Sequence, residues 1–298
     1  MGLADEIRAA AVRVAAQAQH VRIVEERIEP YAATLPAESP PAPDLQGASD
    51  EQRAAFQLTL NAINFGSGCF PTLRKPPGLS GFRTIEKGLR EHGPWSAAEL
   101  AAIDGPTIAG ALGQDPEHEL MGLFTTALNE LGARVRAEHG GSFTSLARAG
   151  EGSAERLAAH LATWPTWHDV SPYPSGPVPF FKRAQIAAAD LALAGLAPAV
   201  DIHRLTLFAD NLVPHVLRLD GVLAFDEDLT RRIEAEELIE HDSREEVEIR
   251  ACAVHAVELL VEAHGATTAT AVDNVLWHRG GEPRYKARPR HRARTIAY

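Results

Sequence analysis

Hydrophobic residues recur at intervals of three and four positions along almost the whole chain, the spacing that places them on one face of an α-helix. Alternating hydrophobic and polar runs bounded by turns, which would predict strands, are scarce. The pattern therefore predicts an all-α fold with few short strands. The predicted helices cover residues 4–33, 50–63, 81–92, 96–103, 117–139, 153–163, 181–195, 205–219, 226–239, 243–264 and 268–277.

The sequence shows no fixed-period repeat and no linker that would separate two cores. We therefore expect one α-helical domain over residues 1–298. Its N-terminal helical segment covers about residues 1–48 and includes the proline-rich stretch 35–43. Residues 279–298 form a basic tail with seven cations and one acid, on a chain whose net charge is −11. Such a tail is expected to dock onto the acidic body or a phosphate-bearing ligand, and a solvated terminus is the alternative.

Length and composition indicate an ordinary soluble globular protein, with 298 residues of which 45% are hydrophobic and 23% charged. Neither a secretion leader nor an apolar run long enough to span a bilayer is visible. Cys69 and Cys252 are too few for a disulfide framework. We therefore expect a cytoplasmic protein without a membrane partner. The acidic net charge also argues against a stable complex with nucleic acid.

Lys182 is a cation flanked by apolar residues on the predicted helix 181–195. Arginine dominates among the cations of this chain, so a lysine here suggests a site that needs a compact point charge. A lysine that reaches solvent from the first helical turn is the alternative. For the neighbouring Arg183 we expect an ion pair with an acid. The aromatic and proline-rich loop 164–179 before this helix is expected to line a site.

Asp210 lies on the apolar segment 205–213, shortly before Pro214. Proline either kinks a helix at this point or stands near the start of one. A carboxylate in such apolar surroundings is desolvated unless a charge lies beside it, and perturbed carboxylates of this kind cluster at functional sites. A helix-capping aspartate is the alternative.

Two other features carry weaker signals. The glycines of Gly66–Gly68 could form an anion-binding nest, although one Gly-Ser-Gly triplet is not specific. The predicted helix 243–264 is apolar on nearly every face, so Arg250 and Glu258 are expected to be buried and paired there. We interpret that pair as structural.

Several short motifs occur in a specific order along the chain: Phe181–Gln185, Leu205–Asp210, Arg250–Cys252, Leu276–Trp277 and His291–Tyr298, with Asn64–Phe65 near the beginning. Together they resemble the queuosine salvage family, the queuosine 5′-phosphate N-glycosylase/hydrolases. The resemblance implies an α-helical fold similar to helix-hairpin-helix DNA glycosylases, and an enzyme that acts on a free nucleotide without a metal or other cofactor. Family members often have Tyr-Arg after the aspartate, where this chain has Asn211–Leu212.

The reaction implied by this resemblance is hydrolysis of the N-glycosidic bond of queuosine 5′-monophosphate, which releases queuine and ribose 5-phosphate for queuine salvage and tRNA modification. Cleavage of an N-glycoside passes through an oxocarbenium-like state that a carboxylate beneath C1′ either stabilises or attacks. Asp210 is the catalytic candidate. The candidate substrate-binding residues are Phe208 for the base, Lys182 or the basic tail for the phosphate, Asp273 for the amine or base edge, and Asn64, Phe65 and Tyr298.

Two other hypotheses come from different classes of function. The dipeptides His168–Asp169 and His241–Asp242 resemble those of metal-dependent phosphohydrolases, so a phosphohydrolase using His241 and Asp242 is the alternative enzyme. A non-enzymatic module whose basic tail docks on tRNA is the third hypothesis. The N-glycosidase remains the leading hypothesis, and no metal site is expected for it.

Overall fold

The computed structural model describes residues 2–38 and 48–298, and helices dominate these two ranges. This confirms the predicted all-α class. The first eight helices are α1 (Leu3–Ala15), α2 (Ile28–Ala32), α3 (Asp50–Ala62), α4 (Gly81–His92), α5 (Ala97–Ala102), α6 (Gly105–Leu112), α7 (Glu119–His139) and α8 (Phe143–Ala147). The remaining helices are α9 (Ala154–Ala162), α10 (Lys182–Leu193), α11 (Leu212–Leu219), α12 (Glu227–Glu234), α13 (Arg244–His264), α14 (Ala269–Arg279) and α15 (Pro283–Lys286).

Strands occur as two short antiparallel pairs within the described ranges. Strand β1 (Val21–Ile23) pairs with β4 (Leu223–Phe225), and β2 (Val170–Ser171) pairs with β3 (Val178–Pro179). The β1–β4 pair ties the N-terminal segment to the chain that follows α11. The β2–β3 pair forms a small hairpin directly before α10.

Helix α13 is the central element of the C-terminal half. It packs against α1, α2, α11 and α14, and most of its side chains are buried. Arg250 on this helix is fully buried and paired with Asp169 and Glu246, as expected for a charge in such surroundings. Glu258 lies nearer the surface and pairs with Arg8 at 2.9 Å.

The N-terminal half is organised around α7, which packs against α3, α5, α6 and α8. Helix α10 packs against α3 and α9. This arrangement places the residues that follow α3 beside the first turn of α10. Ser49 caps α3 through its side chain, so the helix begins one residue after the cap, at Asp50.

Two predicted helices are interrupted by tertiary contacts. The predicted helix 4–33 ends at Ala15, because the amide groups of residues 19–21 donate to the buried carboxylate of Glu248 and residues 21–23 pair as a strand. The predicted helix 205–219 begins only at Leu212. Residues 205–210 are not helical. The backbone N–H of Thr206 instead donates to the side-chain oxygen of Gln185 at 2.9 Å.

Helices α6 and α8 were not predicted, although Asp104 and Ser142 cap them in the ordinary way. Residues 39–43 of the predicted proline-rich stretch lie outside the described residues. Within the ranges described, no helix combines the length and the apolar character needed to cross a bilayer. The division of the chain into one domain, a helical N-terminal segment and a tail stays a prediction.

Candidate active site

A cavity of about 650 Å³ opens between residues 64–83, the start of α11 and the tail, residues 279–298. Five of the seven predicted site residues line it: Asn64, Phe65, Lys182, Asp210 and Tyr298. Phe208 and Asp273 are not in its lining. They are buried and bonded to each other, since the backbone N–H of Phe208 donates to Oδ1 of Asp273 at 3.2 Å.

Asp210 caps a helix and also lines the cavity. Its Oδ1 accepts hydrogen bonds from the backbone N–H groups of Leu212 at 2.7 Å and Val213 at 3.2 Å, so the side chain caps α11. The positive end of the helix dipole favours an ionised carboxylate at this point. Oδ2 accepts no hydrogen bond from any residue that the structure describes, and Asp210 lines the cavity. One oxygen holds the group in place and the other is left for a ligand.

Lys182 is the first residue of α10 and its side chain is buried, only 4% exposed. Its Nζ donates to the carbonyl oxygen of Asn64 at 2.8 Å. Burial lowers the pKa of Lys182 to about 8, and the charge of Asp210 is the largest influence opposing that shift. The alternative of a lysine that reaches solvent is therefore wrong. Lys182 supplies a desolvated cation beside the carboxylates.

Two further carboxyl groups lie near Lys182. Burial and the charge of Asp210 raise the pKa of Asp273 well above its usual range. Burial raises the pKa of Asp190 to about 6, while Asn61 donates a hydrogen bond to it at 2.8 Å. Neighbouring carboxyl groups push each other's pKa values apart. Asp273 therefore tends to hold a proton.

Arg250 positions both segments that carry these residues. Its guanidinium donates two hydrogen bonds to the carboxylate of Asp169, at 3.0 and 2.7 Å, and Oδ2 of Asp169 also accepts from the backbone N–H of Lys182. The Nε of Arg250 donates to the carbonyl oxygen of Ala209, directly before Asp210, at 3.1 Å. The ring centroid of Tyr298 lies 4.6 Å from the same guanidinium. A single buried arginine thus joins the start of α10, the segment before α11 and the tail.

The glycines after α3 form a docking surface for the tail, and the anion-binding nest considered above stays a prediction. The backbone N–H of Gly66 donates to the carbonyl oxygen of Tyr298 at 2.9 Å. A Cβ atom at Gly68 would lie only 2.2 Å from the carbonyl oxygen of Ala293, so the tail backbone passes where a side chain would be. The tail therefore docks onto the body and closes one side of the cavity.

Aromatic side chains form another side of the cavity. Phe82 and Trp277 meet edge to face with ring centroids 5.6 Å apart, and both are in the lining. The loop 164–179 contributes no lining residue, so its predicted place in the site is wrong. Trp277 was recognised only as part of the motif Leu276–Trp277, and Phe82 has no local sequence signal. Their contact was not predicted, because the two come together only when α4 and the end of α14 converge.

Arg183 points away from the cavity, and its predicted ion pair is also wrong. Its guanidinium donates to the carbonyl oxygens of Ala62 and Thr166 and lies 4.9 and 5.3 Å from the ring centroids of Phe65 and Trp167. Carbonyl dipoles and aromatic faces compensate this buried cation where no carboxylate is bonded to it.

The cavity is positively charged although the chain is acidic. Two carboxylates, Asp210 and Glu236, line it. The cationic lining residues are more numerous: Lys75, Arg83, Lys182, Lys286, Arg288, Arg290 and Arg292. Charge of one sign along a concave surface attracts a ligand of the opposite sign. This cavity is therefore suited to an anionic ligand that presents a cationic centre to Asp210.

Two clusters within the described ranges have the ligand types for a metal ion, and neither lines the cavity. One contains Glu138, His139 and His160, and the other His241, Asp242 and Glu246. The Nδ1 of His241 lies 3.6 Å from Glu246, which is an ordinary distance for a charged pair. In the other His-Asp dipeptide, His168–Asp169, the carboxylate of Asp169 is already bound by Arg250.

Comparisons with known proteins agree with the resemblance found in the motifs. A family model described as Queuosine salvage protein matches residues 81–298. Three relatives are named queuosine 5′-phosphate N-glycosylase/hydrolase. The protein of Sphaerobacter thermophilus is 34% identical over 225 residues, which cover 72% of this chain and 69% of the relative. That of Dictyostelium discoideum is 30% identical over 263 residues (83% and 79%), and that of Bos taurus is 33% identical over 191 residues (57% and 56%).

Proposed function

We propose that this chain, which belongs to the queuosine salvage protein family, hydrolyses the N-glycosidic bond of queuosine 5′-monophosphate and releases queuine and ribose 5-phosphate. The observation that carries the proposal is the carboxylate of Asp210. It is fixed by two backbone amides at the start of α11, has one oxygen without a protein partner in the described ranges, and lies in a cavity rich in cations. That geometry suits a cationic transition state within an anionic substrate.

In the proposed reaction the bond between C1′ and the base breaks, and its electron pair leaves with the base. Positive charge then develops on C1′ and the ring oxygen of the ribose, where the carboxylate of Asp210 stabilises it or bonds to it. A water molecule delivers hydroxide to C1′, and its proton balances the charge of the departing base. Queuine is a 7-deazapurine and has no N7 that could be protonated as in a purine. Stabilisation of the ribosyl cation by Asp210 must therefore supply more of the rate than it would for a purine nucleotide.

Lys182 and Asp273 have supporting roles in this proposal. The ammonium group of Lys182 balances the carboxylates around it, and its bond to Asn64 fixes the turn after α3. Asp273 accepts a hydrogen bond from the backbone N–H of Phe208 and so holds the non-helical segment that leads to Asp210. Direct contact of Phe208 or Asp273 with the base stays a prediction, as do the contacts of Asn64, Phe65 and Tyr298.

The proposal is tested by incubating the purified full chain with queuosine 5′-monophosphate, queuosine, GMP and AMP, with and without a chelator, and identifying the products by mass spectrometry. We expect release of queuine from queuosine 5′-monophosphate in the presence of chelator, and no base release from GMP or AMP. Absence of base release from every substrate would overturn the proposal.

The same assay separates the N-glycosidase from the other hypotheses. A phosphohydrolase at His241 and Asp242 would release inorganic phosphate in a reaction that chelator abolishes, and the matched family gives no support to it. A tRNA-docking module would bind tRNA with a strong dependence on salt concentration. That the protein is cytoplasmic and forms no stable nucleic-acid complex stays a prediction.

A further inference from the structure

Two half-buried histidines face each other outside the cavity, where the ends of α7 and α9 meet. His139 is the last residue of α7, and His160 lies in the last turn of α9. Their Nε2 atoms are 3.3 Å apart. Glu138, beside His139 in the chain, places its Oε2 3.7 Å from Nε2 of His160. Three side chains of the types that bind zinc therefore converge on one point.

The distance between the two imidazoles is the one that a shared ion requires. Zinc binds an imidazole nitrogen at about 2.0–2.1 Å, so two nitrogens on a tetrahedral ion are about 3.3–3.4 Å apart. The observed 3.3 Å matches this separation. The ligand atoms of Glu138, His139 and His160 all lie within 4.8 Å of one another. A small rotation of the exposed Glu138 side chain would complete a set of three protein ligands.

The surroundings of these three residues favour a cation. Both histidines lie in the last turn of a helix, where the helix dipole contributes partial negative charge. Arg134 donates to Oε1 of Glu138 at 2.8 Å, which leaves Oε2 on the side of His160. The buried ring of Trp164 meets that of His160 edge to face at 5.6 Å and so orients the imidazole.

The other cluster with metal-binding residue types has a different geometry. His241 turns Nε2 toward Asp242 at 3.4 Å and Nδ1 toward Glu246 at 3.6 Å. The two nitrogens of one imidazole point in different directions, so an ion at either nitrogen lies away from the carboxylate at the other. Glu246 is also paired with Arg250. Of the two clusters, the one at His139 and His160 therefore has the geometry of a metal site.

We propose that Glu138, His139 and His160 bind a zinc ion that joins α7 to α9, with a water molecule as the fourth ligand. The site lies outside the cavity, so this proposal does not depend on the proposed function, and turnover does not need the ion. Helix α7 organises the N-terminal half, and α9 packs against α10, which begins at Lys182. The ion therefore links these two parts of the fold. It stabilises the folded chain, because folding brings the three ligands together.

The binding test is calorimetric titration with ZnCl2 of the full chain, made without a histidine tag and stripped with a chelator. We expect the wild type to bind one equivalent. His139→Gln and His160→Gln should each bind zinc at least about tenfold more weakly, because each lacks one of the three ligands.

His92→Gln is the matched control for these two variants. His92 also ends a helix, α4, but its Nδ1 lies 3.1 Å from the carbonyl oxygen of Gly88 and it belongs to neither cluster. This variant should bind zinc as the wild type does. Absence of zinc binding by the wild type, or equal affinity in all three variants, would overturn the proposal.

A second measurement uses the wild type alone and does not depend on the folding of a variant. Diethyl pyrocarbonate modifies free imidazole nitrogens, and mass spectrometry of the digested chain locates the modified histidines. Zinc well above its Kd should slow modification of His139 and His160 at least about tenfold and leave His92 unchanged. It should also raise the Tm by about 5 °C. Equal modification of His139 and His160 with and without zinc would refute the site.

The two proposals can fail separately. Zinc binding and protection of the histidines are measured without substrate, so a chain that releases no queuine can still confirm the zinc site. Conversely, a chain that binds no zinc can still hydrolyse queuosine 5′-monophosphate. We expect the stripped chain and the zinc-loaded chain to release queuine at the same rate.

Discussion

The charges around Arg250 are paired with one another, whereas Lys182 and Asp210 line a cavity, and one oxygen of Asp210 accepts no hydrogen bond from the residues that the structure describes. The closed group consists of Asp169, Glu246 and Arg250, which are all buried. The cavity group consists of Lys182 and Asp210, which line the cavity, and of Asp273, which is buried close to them; the charge of Asp210 acts on the pKa of Lys182 and on that of Asp273. The two groups touch at Ala209, whose carbonyl oxygen accepts a hydrogen bond from Arg250 one residue before Asp210.

In these two groups the same residue types serve two purposes. In the closed group each charged side chain pairs with another protein group. The pairing fixes the geometry of these side chains and leaves none of their charges for a ligand. In the cavity group the pairing is incomplete, which costs stability but leaves Asp210 and the cations near it able to act on something else. The closed group holds the backbone at Lys182 and Ala209 and so positions the side chains of the cavity group.

Removing Arg250 should have the largest effect and tests whether the closed group is structural. Replacing Arg250 by Met leaves Asp169 and Glu246 as buried charges without their main partner. We expect the free energy of unfolding to fall by about 3–5 kcal/mol, measured by urea denaturation. Arg134→Met is the matched control, since Arg134 pairs on the surface with Glu138 at 2.8 Å. That variant should change stability by no more than about 0.5 kcal/mol. Equal effects of the two variants would remove the distinction between closed and exposed charges.

Asp210→Asn should have the second largest effect, and it tests whether the cavity group takes part in catalysis. The amide oxygen of asparagine can still accept the hydrogen bonds from Leu212 and Val213, so we expect the fold and the cap to be retained. The lost negative charge should lower kcat about 10²- to 10³-fold, measured as queuine release from queuosine 5′-monophosphate.

The control for Asp210→Asn is Asp226→Asn. Asp226 caps α12 in the same way, through a 2.7 Å hydrogen bond from the N–H of Leu229, and does not line the cavity. Its variant should keep full activity. Near-native turnover by Asp210→Asn would mean that Asp210 is only a capping residue. The cavity group would then have no role in catalysis that distinguishes it from the closed group.

The smallest effect is expected in the pH dependence of stability. The pKa of Lys182 is about 8 in the folded chain and 10.5 for an ordinary lysine. Between these values the unfolded chain holds a proton that the folded chain lacks, so this group makes the free energy of unfolding rise with pH. Lys182→Met removes that contribution. The wild type should therefore gain stability over the variant from pH 8 to 10.5, by at most about 1.4 kcal/mol per pH unit. If the wild type instead lost stability relative to Lys182→Met as the pH rises, the lowered pKa of this buried lysine would be contradicted.

Sequence patterns predicted those features that depend on neighbours along the chain. Helix α4 has the predicted bounds because Ser80 caps it and its apolar stripe is regular. Asp210 and Lys182 were recognisable because each breaks the local apolar pattern. The interruption after Ala15 was not predictable, since its cause, Glu248, lies at the other end of the sequence. For the same reason Arg250 and Arg290 look alike in sequence. Only the folded chain shows that Arg250 pairs with Asp169 and Glu246, whereas Arg290 lines the cavity and has no ion pair among the described residues.

The bond between Gly66 and Tyr298 has a consequence for the order in which the molecule is assembled. It closes one of the longest loops in the chain, and contacts between distant positions form late and slowly. During synthesis, the helices before the tail can collapse while the tail is still inside the ribosome. Such a nascent chain, or one cut short before Arg290, would have Asp210 on a helical body but no wall opposite it. Maturation of the enzyme would then be a final docking event, visible as activity that appears after most of the helical structure has formed.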